Sequence, residues 1–172
     1  MTPKNPVHRL GIDAGALFFK AVLLDPAGGP VLRMRMAHQG DAERWADALL
    51  EQVTALGLPV VAGLTGSLAE RVAPRLGLEV LEPVTALVET VRREHPGARH
   101  VIDAGGGSLS LMTLGADGAF EGYERNSLCA AGTGSFLDEQ GARLGITWEE
   151  LRDLVPVERP PSVAARCAVF AK

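Results

Sequence analysis

Two aspartates, Asp13 and Asp103, stand in the same phrase, Ile-Asp-Ala-Gly, at Ile12 to Gly15 and again at Ile102 to Gly105. Each phrase closes one apolar run and opens a glycine-rich turn, beyond which a second apolar run begins. An aspartate at a strand end beside free backbone N–H groups can do two things together: the carboxylate grips a hydrated Mg²⁺ and the amides receive phosphate oxygens. Asp13 and Asp103 are therefore the candidate catalytic and metal-water residues, because hydrolysis of a phosphoanhydride needs its charge neutralised and a water positioned. Gly15 and Ala16 in the first turn, with Gly105, Gly106, Gly107 and Ser108 in the second, form the candidate phosphate cradle. One strand ending in Asp-x-Gly is ordinary turn chemistry. The repetition in matched context, Arg9 to Asp25 and His100 to Leu114, points instead to paired units facing each other across a cleft that holds a nucleotide. Lys20, one strand length from Asp13, is expected at the sheet edge rather than at phosphate.

The other chemistry-bearing residues are Cys129 and Cys167. Their 38-residue separation lies far outside Cys-x-x-Cys spacing, and two arbitrary cysteines are by default buried as small hydrophobes. Their contexts argue for more. Cys129 precedes Ala-Ala-Gly-Thr-Gly at a helix start and Cys167 lies near the start of another, where the helix dipole and free amides favour a thiolate. Two thiolates are half the usual ligand set of an iron–sulfur cluster, which a two-fold dimer would complete.

The elements that must position these residues follow from periodicity and punctuation. After the first hairpin, Pro26 to Pro30 is a turn and Val31 to Met36 alternates as a half-buried third strand. Asp41 opens a helix whose Trp45, Ala48, Leu49, Gln52, Val53 and Leu56 fall on one core-facing stripe, ending at Gly57. Pro59 to Leu64 reads as a buried parallel strand, with Thr65 to Ser67 capping a helix that runs to about Pro74. Gly77 to Leu81 is a short further strand, and Pro83 starts a helix over Val84 to Glu94 that Pro96-Gly97 ends. The second hairpin then leads through Gly115 to Gly118 into a strand from Ala119 to Glu124. A small-residue turn from Leu128 opens a helix with Phe136, Leu137, Gln140, Gly141 and Leu144 on one face, closed by Gly145. Thr147 to Glu150 is a capping box, Pro156 to Pro161 an extended linker, and Ser162 the cap of a final helix containing Cys167.

The chain of 172 residues suffices for two small lobes, and its 47% hydrophobic content with few aromatics suits packed α/β layers. A net charge of −4 without a basic run argues against nucleic acid as a partner. The polar start, Met1 to His8, and the absence of any run long enough to cross a bilayer point to a cytoplasmic protein without membrane contact.

The segment Asn126-Ser-Leu-Cys-Ala-Ala-Gly-Thr-Gly-Ser-Phe-Leu-Asp138, backed by Arg166 to Ala171, resembles the ATP-dependent activators (component A) of 2-hydroxyacyl-CoA dehydratases and benzoyl-CoA reductases, within the actin-like ATPase superfamily. The similarity also takes in Gly11 onward, Val61 to Gly66 and Glu82 to Ala86. It implies an α/β, ribonuclease H-like fold of two related lobes, residues 1–97 and 98–172, each opening with a three-stranded antiparallel meander. It further implies ATP or ADP with Mg²⁺ at the repeated turns, with Gly132, Thr133 and Gly134 among the cofactor-binding residues. A [4Fe-4S] cluster would be shared by a homodimer through Cys129 and Cys167. ATP hydrolysis would then drive one low-potential electron, drawn from reduced ferredoxin or flavodoxin, to an iron–sulfur dehydratase or reductase. The family continues past the position of Lys172, so the chain is expected to be C-terminally truncated, its second lobe incomplete.

The sequence departs from the family at both turns. Ala16 to Phe19 replace hydroxyl residues, and Gly107-Ser108 and Ser110 replace Gln-Asp and a lysine. These departures motivate a second reading, a degenerate nucleotide-binding regulatory module. A small-molecule kinase of the same superfamily is a third, and gives the cysteines no role.

Overall fold

The computed structural model describes residues 6–126 and 133–159. The chain separates into two compact units, Met1–His95 and Pro96–Lys172. The first opens with β1 (His8–Ala14), β2 (Phe18–Leu24) and β3 (Pro30–Ala37), followed by α1 (Ala42–Ala55), β4 (Val60–Thr65), α2 (Ala69–Leu76) and α3 (Pro83–Glu94). Its sheet runs β3-β2-β1-β4, antiparallel except that β4 lies parallel to β1. Strand alternation decides which face is covered. Leu10, Ile12 and Ala14 of β1 and Phe19, Ala21 and Leu23 of β2 point inward onto Ala42, Ala46 and Leu49 of α1 and Ala69 and Val72 of α2.

Several expectations shift by a residue or a face. The covered stripe of α1 is Ala42, Ala46 and Leu49, with Trp45 and Val53 half-buried against it, whereas Gln52 is exposed and Leu56 is the C-cap. The side chain of Asp41 accepts from Arg44 N–H and so caps the helix as the sequence suggests. β4 is parallel but is an edge strand, not a buried one: Val61 is 64% exposed and only Leu64 is fully covered. α2 begins at Ala69 with no side-chain cap, because Leu68 and not Ser67 takes the N-cap position, and it continues through Pro74 to Leu76. The expected strand after Gly77 is reduced to one parallel bridge, Leu64 to Val80. In α3, Pro83 occupies the first turn and the Glu82 carboxylate caps Thr85 N–H.

The second unit contains β5 (His100–Ala104), β6 (Leu109–Leu114) and β7 (Phe120–Arg125) in a three-stranded antiparallel sheet, then α4 (Gly134–Leu144) and α5 (Trp148–Arg152). The capping box on α5 forms as read, with Thr147 and Glu150 bonded in both directions. On α4 the expected apolar face is only half covered among the described residues, with Leu137 and Leu144 exposed. The final helix expected after Ser162, and both cysteines, lie outside the described residues.

The two meanders repeat at the level of register. Asp13 faces Lys20 and Ala14 faces Phe19 across the first hairpin; Asp103 faces Ser110 and Ala104 faces Leu109 across the second. The irregularity where β2 meets β3 falls at Leu23/Leu24, and its counterpart falls at Thr113/Leu114. Even the following loops match: Gly28 N–H donates to Asp25 and Asp25 N–H to Gly29, as Gly118 N–H does to Gly115 and Gly115 N–H to Ala119.

The helices over the first sheet are locked by charge. Two nitrogens of the Arg71 guanidinium grip Glu43, joining α2 to α1, and Arg75 pairs with Asp47 at 2.8 Å. The Arg71 bonds hold the Glu43 carboxyl at about 2, below its ordinary 4.5. A carboxyl lowered on folding contributes its stability above the ordinary value and loses it as pH falls toward the folded one. The destabilisation caused by Glu43→Gln should therefore be constant above pH 4.5 and fade as pH drops to about 2 in urea melts. A difference that persists undiminished at pH 2 would assign the effect to something other than the ion pair.

Candidate functional site

Asp13 sits at the end of β1, half-buried, directly across the ladder from Lys20. The Lys20 ammonium donates to Asp13 Oδ2 at 2.7 Å. The expectation that Lys20 would occupy the sheet edge is wrong for a simple reason: in a tight hairpin, residues seven apart become cross-strand partners, and β2 is an interior strand. Register then extends a row of side chains across four strands on one face, Arg35, Lys20, Asp13 and Thr65. Arg35 is held with its guanidinium 3.7 Å from the centre of the Phe18 ring.

What surrounds the first turn explains what it can bind. Gly15 N–H donates to Phe18 O at 3.0 Å, closing the hairpin, so Gly15 serves the turn itself. Three carbonyls of the turn are taken up: Ala14 O by Leu68 N–H at 2.8 Å, Gly15 O by His38 Nε2 at 3.1 Å, Leu17 O by His38 N–H at 3.2 Å. No described group accepts the N–H of Ala16 or Leu17. The turn therefore offers a would-be anion two donors while three of its carbonyls, those of Ala14, Gly15 and Leu17, are bound elsewhere. Gly66, in the loop after β4, completes the enclosure at φ +111°, where a Cβ would lie 2.5 Å from Ala14 O and 2.6 Å from Asp13 Oδ1. Only glycine lets that loop lie against the carboxylate.

The second turn reaches the same end by other means. Gly105 N–H donates to Ser108 O at 2.8 Å, again closing the hairpin. The carbonyls of Gly105 and Gly106 accept from Gly134 N–H and Ser135 N–H of α4, both at 3.0 Å. Thr133, fully buried, precedes them with its hydroxyl 3.3 Å from that of Ser135. A Cβ on Gly134 would stand 3.5 Å from both Gly105 O and Gly106 Cα, an ordinary contact distance, so the two hydrogen bonds and not a missing side chain hold the helix start on the turn. The structure thus brings together Gly105, Gly106, Thr133 and Gly134, far apart in sequence, and leaves the N–H groups of Gly106, Gly107 and Ser108 without an acceptor among the described residues. Asn126 ties the start of this motif to β6, its side chain accepting from Leu109 N–H at 3.0 Å.

Asp103 is exposed and faces Ser110, so the second hairpin has a hydroxyl where the first has an ammonium. Among the described residues no group of three or more His, Cys, Asp or Glu side chains forms that could hold a metal; Cys129, Cys167 and Gly132 lie outside those residues. Among the described residues, too, no helix is long and apolar enough to cross a membrane. Sequence reading missed His38, and it took in the Gly66 loop without its close approach to Asp13. A glycine after a strand end is visible in sequence, but nothing marks His38 until the chain folds back on the turn.

The fold is that of the actin-like ATPases. The chain superposes on the crystal structure of (R)-2-hydroxyglutaryl-CoA dehydratase component A from Acidaminococcus fermentans with a TM-score of 0.78 at 22% identity, covering 96% of this chain and 65% of that one. It also superposes on the activator of 2-hydroxyisocaproyl-CoA dehydratase from Clostridium difficile with bound ADPNP, with a TM-score of 0.73 at 22% identity, over 95% of this chain and 62% of that one. By sequence it is 29% identical over 167 residues to an uncharacterised protein of Escherichia coli, covering 96% of this chain and 64% of that protein. It is 26% identical over 176 residues to the activator of lactoyl-CoA dehydratase from Anaerotignum propionicum, over 96% and 65% respectively. A shorter stretch of 79 residues is 34% identical to one component of the benzoyl-CoA reductase of Thauera aromatica, over 45% of this chain and 28% of that one. No protein-family model matches the chain. The chain spans less than two thirds of the length of these curated relatives. Its homologues thus include proteins named as the activators and reductase components whose motifs the sequence resembles.

Two substitutions separate scaffold from ligand-facing groups. Gly66→Ala should cost about 2 kcal/mol or more in urea melts, since it adds left-handed strain to a backbone clash. Lys20→Met should cost less than about 1 kcal/mol, because both members of its ion pair remain partly exposed to solvent. Equal losses would make the Lys20–Asp13 pair part of the scaffold instead of a group available to a ligand.

Proposed function

We propose that this chain is the nucleotide-handling part of an ATP-dependent activator that sends an electron through an iron–sulfur cluster to a dehydratase or reductase partner. The observation that carries the reading is the pair of turns at Asp13 and Asp103, in each of which most carbonyls are bound while the central N–H groups have no acceptor among the described residues. Phosphate oxygens would be received by Ala16 and Leu17 in one turn and by Gly106, Gly107 and Ser108 in the other. Asp13 and Asp103 would hold the water shell of Mg²⁺, and Lys20 would turn from Asp13 toward the negative charge of the phosphates. Gly15, Gly105, Thr133 and Gly134 shape the turns, and Gly132 continues that motif. The activator relatives and the fold shared with a structure containing ADPNP support the nucleotide and the class of partner.

Cys129 and Cys167 supply two thiolates per chain, and a second copy would complete the four that a [4Fe-4S] cluster takes. When bound, such a cluster supplies one-electron transfer at low potential. Reduced ferredoxin or flavodoxin is the fitting electron source, and the cytoplasm the fitting compartment for free thiolates.

A second reading is favoured by one observation: opposite Asp103 stands Ser110, and the first turn carries no hydroxyl side chain. A degenerate module with this geometry would bind nucleotide without hydrolysing it.

Mg-ATP hydrolysis by the parent should fall by about 10² or more in Asp103→Ala if that carboxylate helps stabilise the transition state. Identical rates would favour the degenerate module. Protein purified without oxygen should carry about four irons per two chains and lose them in Cys129→Ala. An iron-free, dimeric parent would end the electron-transfer reading while leaving the nucleotide site standing.

A further inference from the structure

The first turn lacks the hydroxyl side chains that could hold it by their own bonds, since Ala16, Leu17, Phe18 and Phe19 follow Gly15. Its shape depends instead on His38, which is 6% exposed and touches the turn twice: its backbone N–H bonds Leu17 O and its ring Nε2 lies 3.1 Å from Gly15 O. The other ring nitrogen settles the proton. Gly40 N–H donates to His38 Nδ1 at 3.0 Å, so Nδ1 carries the lone pair and the hydrogen sits on Nε2, where it donates to Gly15 O. The loop is built to present that amide. Gln39 and Gly40 both take positive φ, 49° and 92°, and Asp41 N–H closes the turn onto His38 O at 2.8 Å. Arg71 of α2 donates to Gly40 O at 2.7 Å, which anchors the loop from its far side.

We propose that His38 is the positioning residue of the first phosphate turn: by binding Gly15 O through Nε2–H it directs that carbonyl away from the anion and so aims the N–H of Ala16, on the opposite side of the same peptide plane, toward it. The inference rests on the nucleotide reading of the turn and adds to it the buried group that organises the donors. His38 touches no phosphate itself. It does through a ring and its own backbone what side-chain hydroxyls would do locally in a hairpin that had them.

Two variants of the full chain test it. In His38→Gln the side-chain amide still donates to Gly15 O from near the place of Nε2 but cannot accept from Gly40. In His38→Asn the amide oxygen still accepts from Gly40 but falls short of Gly15. Each loses one of two bonds, so a merely structural role lowers both melting temperatures and distinguishes nothing further. The positioning role distinguishes them: in His38→Asn, hydrogen exchange at Gly15 N–H should rise about tenfold and Mg-ATP affinity fall about tenfold, while His38→Gln stays near the parent in both. Exchange is read without nucleotide. A parent that fails to bind Mg-ATP therefore overturns the nucleotide reading, and the exchange comparison alone decides for or against His38. Equal exchange at Gly15 in the two variants, or equal affinities where the parent binds, overturns the proposal.

Discussion

A peptide turn presents donors and acceptors in equal number, and an anion is repelled by one as much as it is drawn by the other. The structure resolves that conflict by hydrogen bonding nearly every carbonyl around the two acidic turns to something else. In the first turn the partners are Leu68, the N-cap of α2, and His38, the residue after β3. In the second they are the first amides of α4, at Gly134 and Ser135. Each partner is itself set by packing or by a helix start, so the shape of each turn is an outcome of the whole unit that carries it.

The two meanders share register, irregularity and loop bonding, yet the groups beside the two aspartates differ. Asp13 has an ammonium at 2.7 Å and a glycine loop against it, while Asp103 is exposed and faces a serine. The backbone scaffold has been kept in both copies and the side-chain chemistry has diverged. A repeated Arg, at Arg35 and Arg125, occupies the same ladder position in each sheet, and in the first copy it is steadied by the Phe18 ring.

Much of this was legible in the residues. The meanders, the parallel strand, the Asp41, Pro83 and Thr147 helix starts and the repeat itself follow from period-two alternation and capping chemistry, which are local. Errors arose where a neighbour in space decides the outcome. Val61 is exposed because its strand ends the sheet, and Gln52 faces solvent because the covered stripe of α1 is turned toward Ala42 and Ala46. Neither fact is written in the strand or the helix alone.

The site divides along the same line. Asp13, Asp103 and the glycines beside them announce themselves in sequence, because the demand for a carboxylate at a strand end and a turn without Cβ is met by residues adjacent in the chain. The pairing of Lys20 with Asp13, the docking of Gly134 on Gly105, the closeness of Gly66 to a carboxylate and the grip of His38 on Gly15 belong to the tertiary structure. They join residues between seven and about fifty positions apart, and only the folded register, not the order of the chain, determines which distant donor meets which carbonyl.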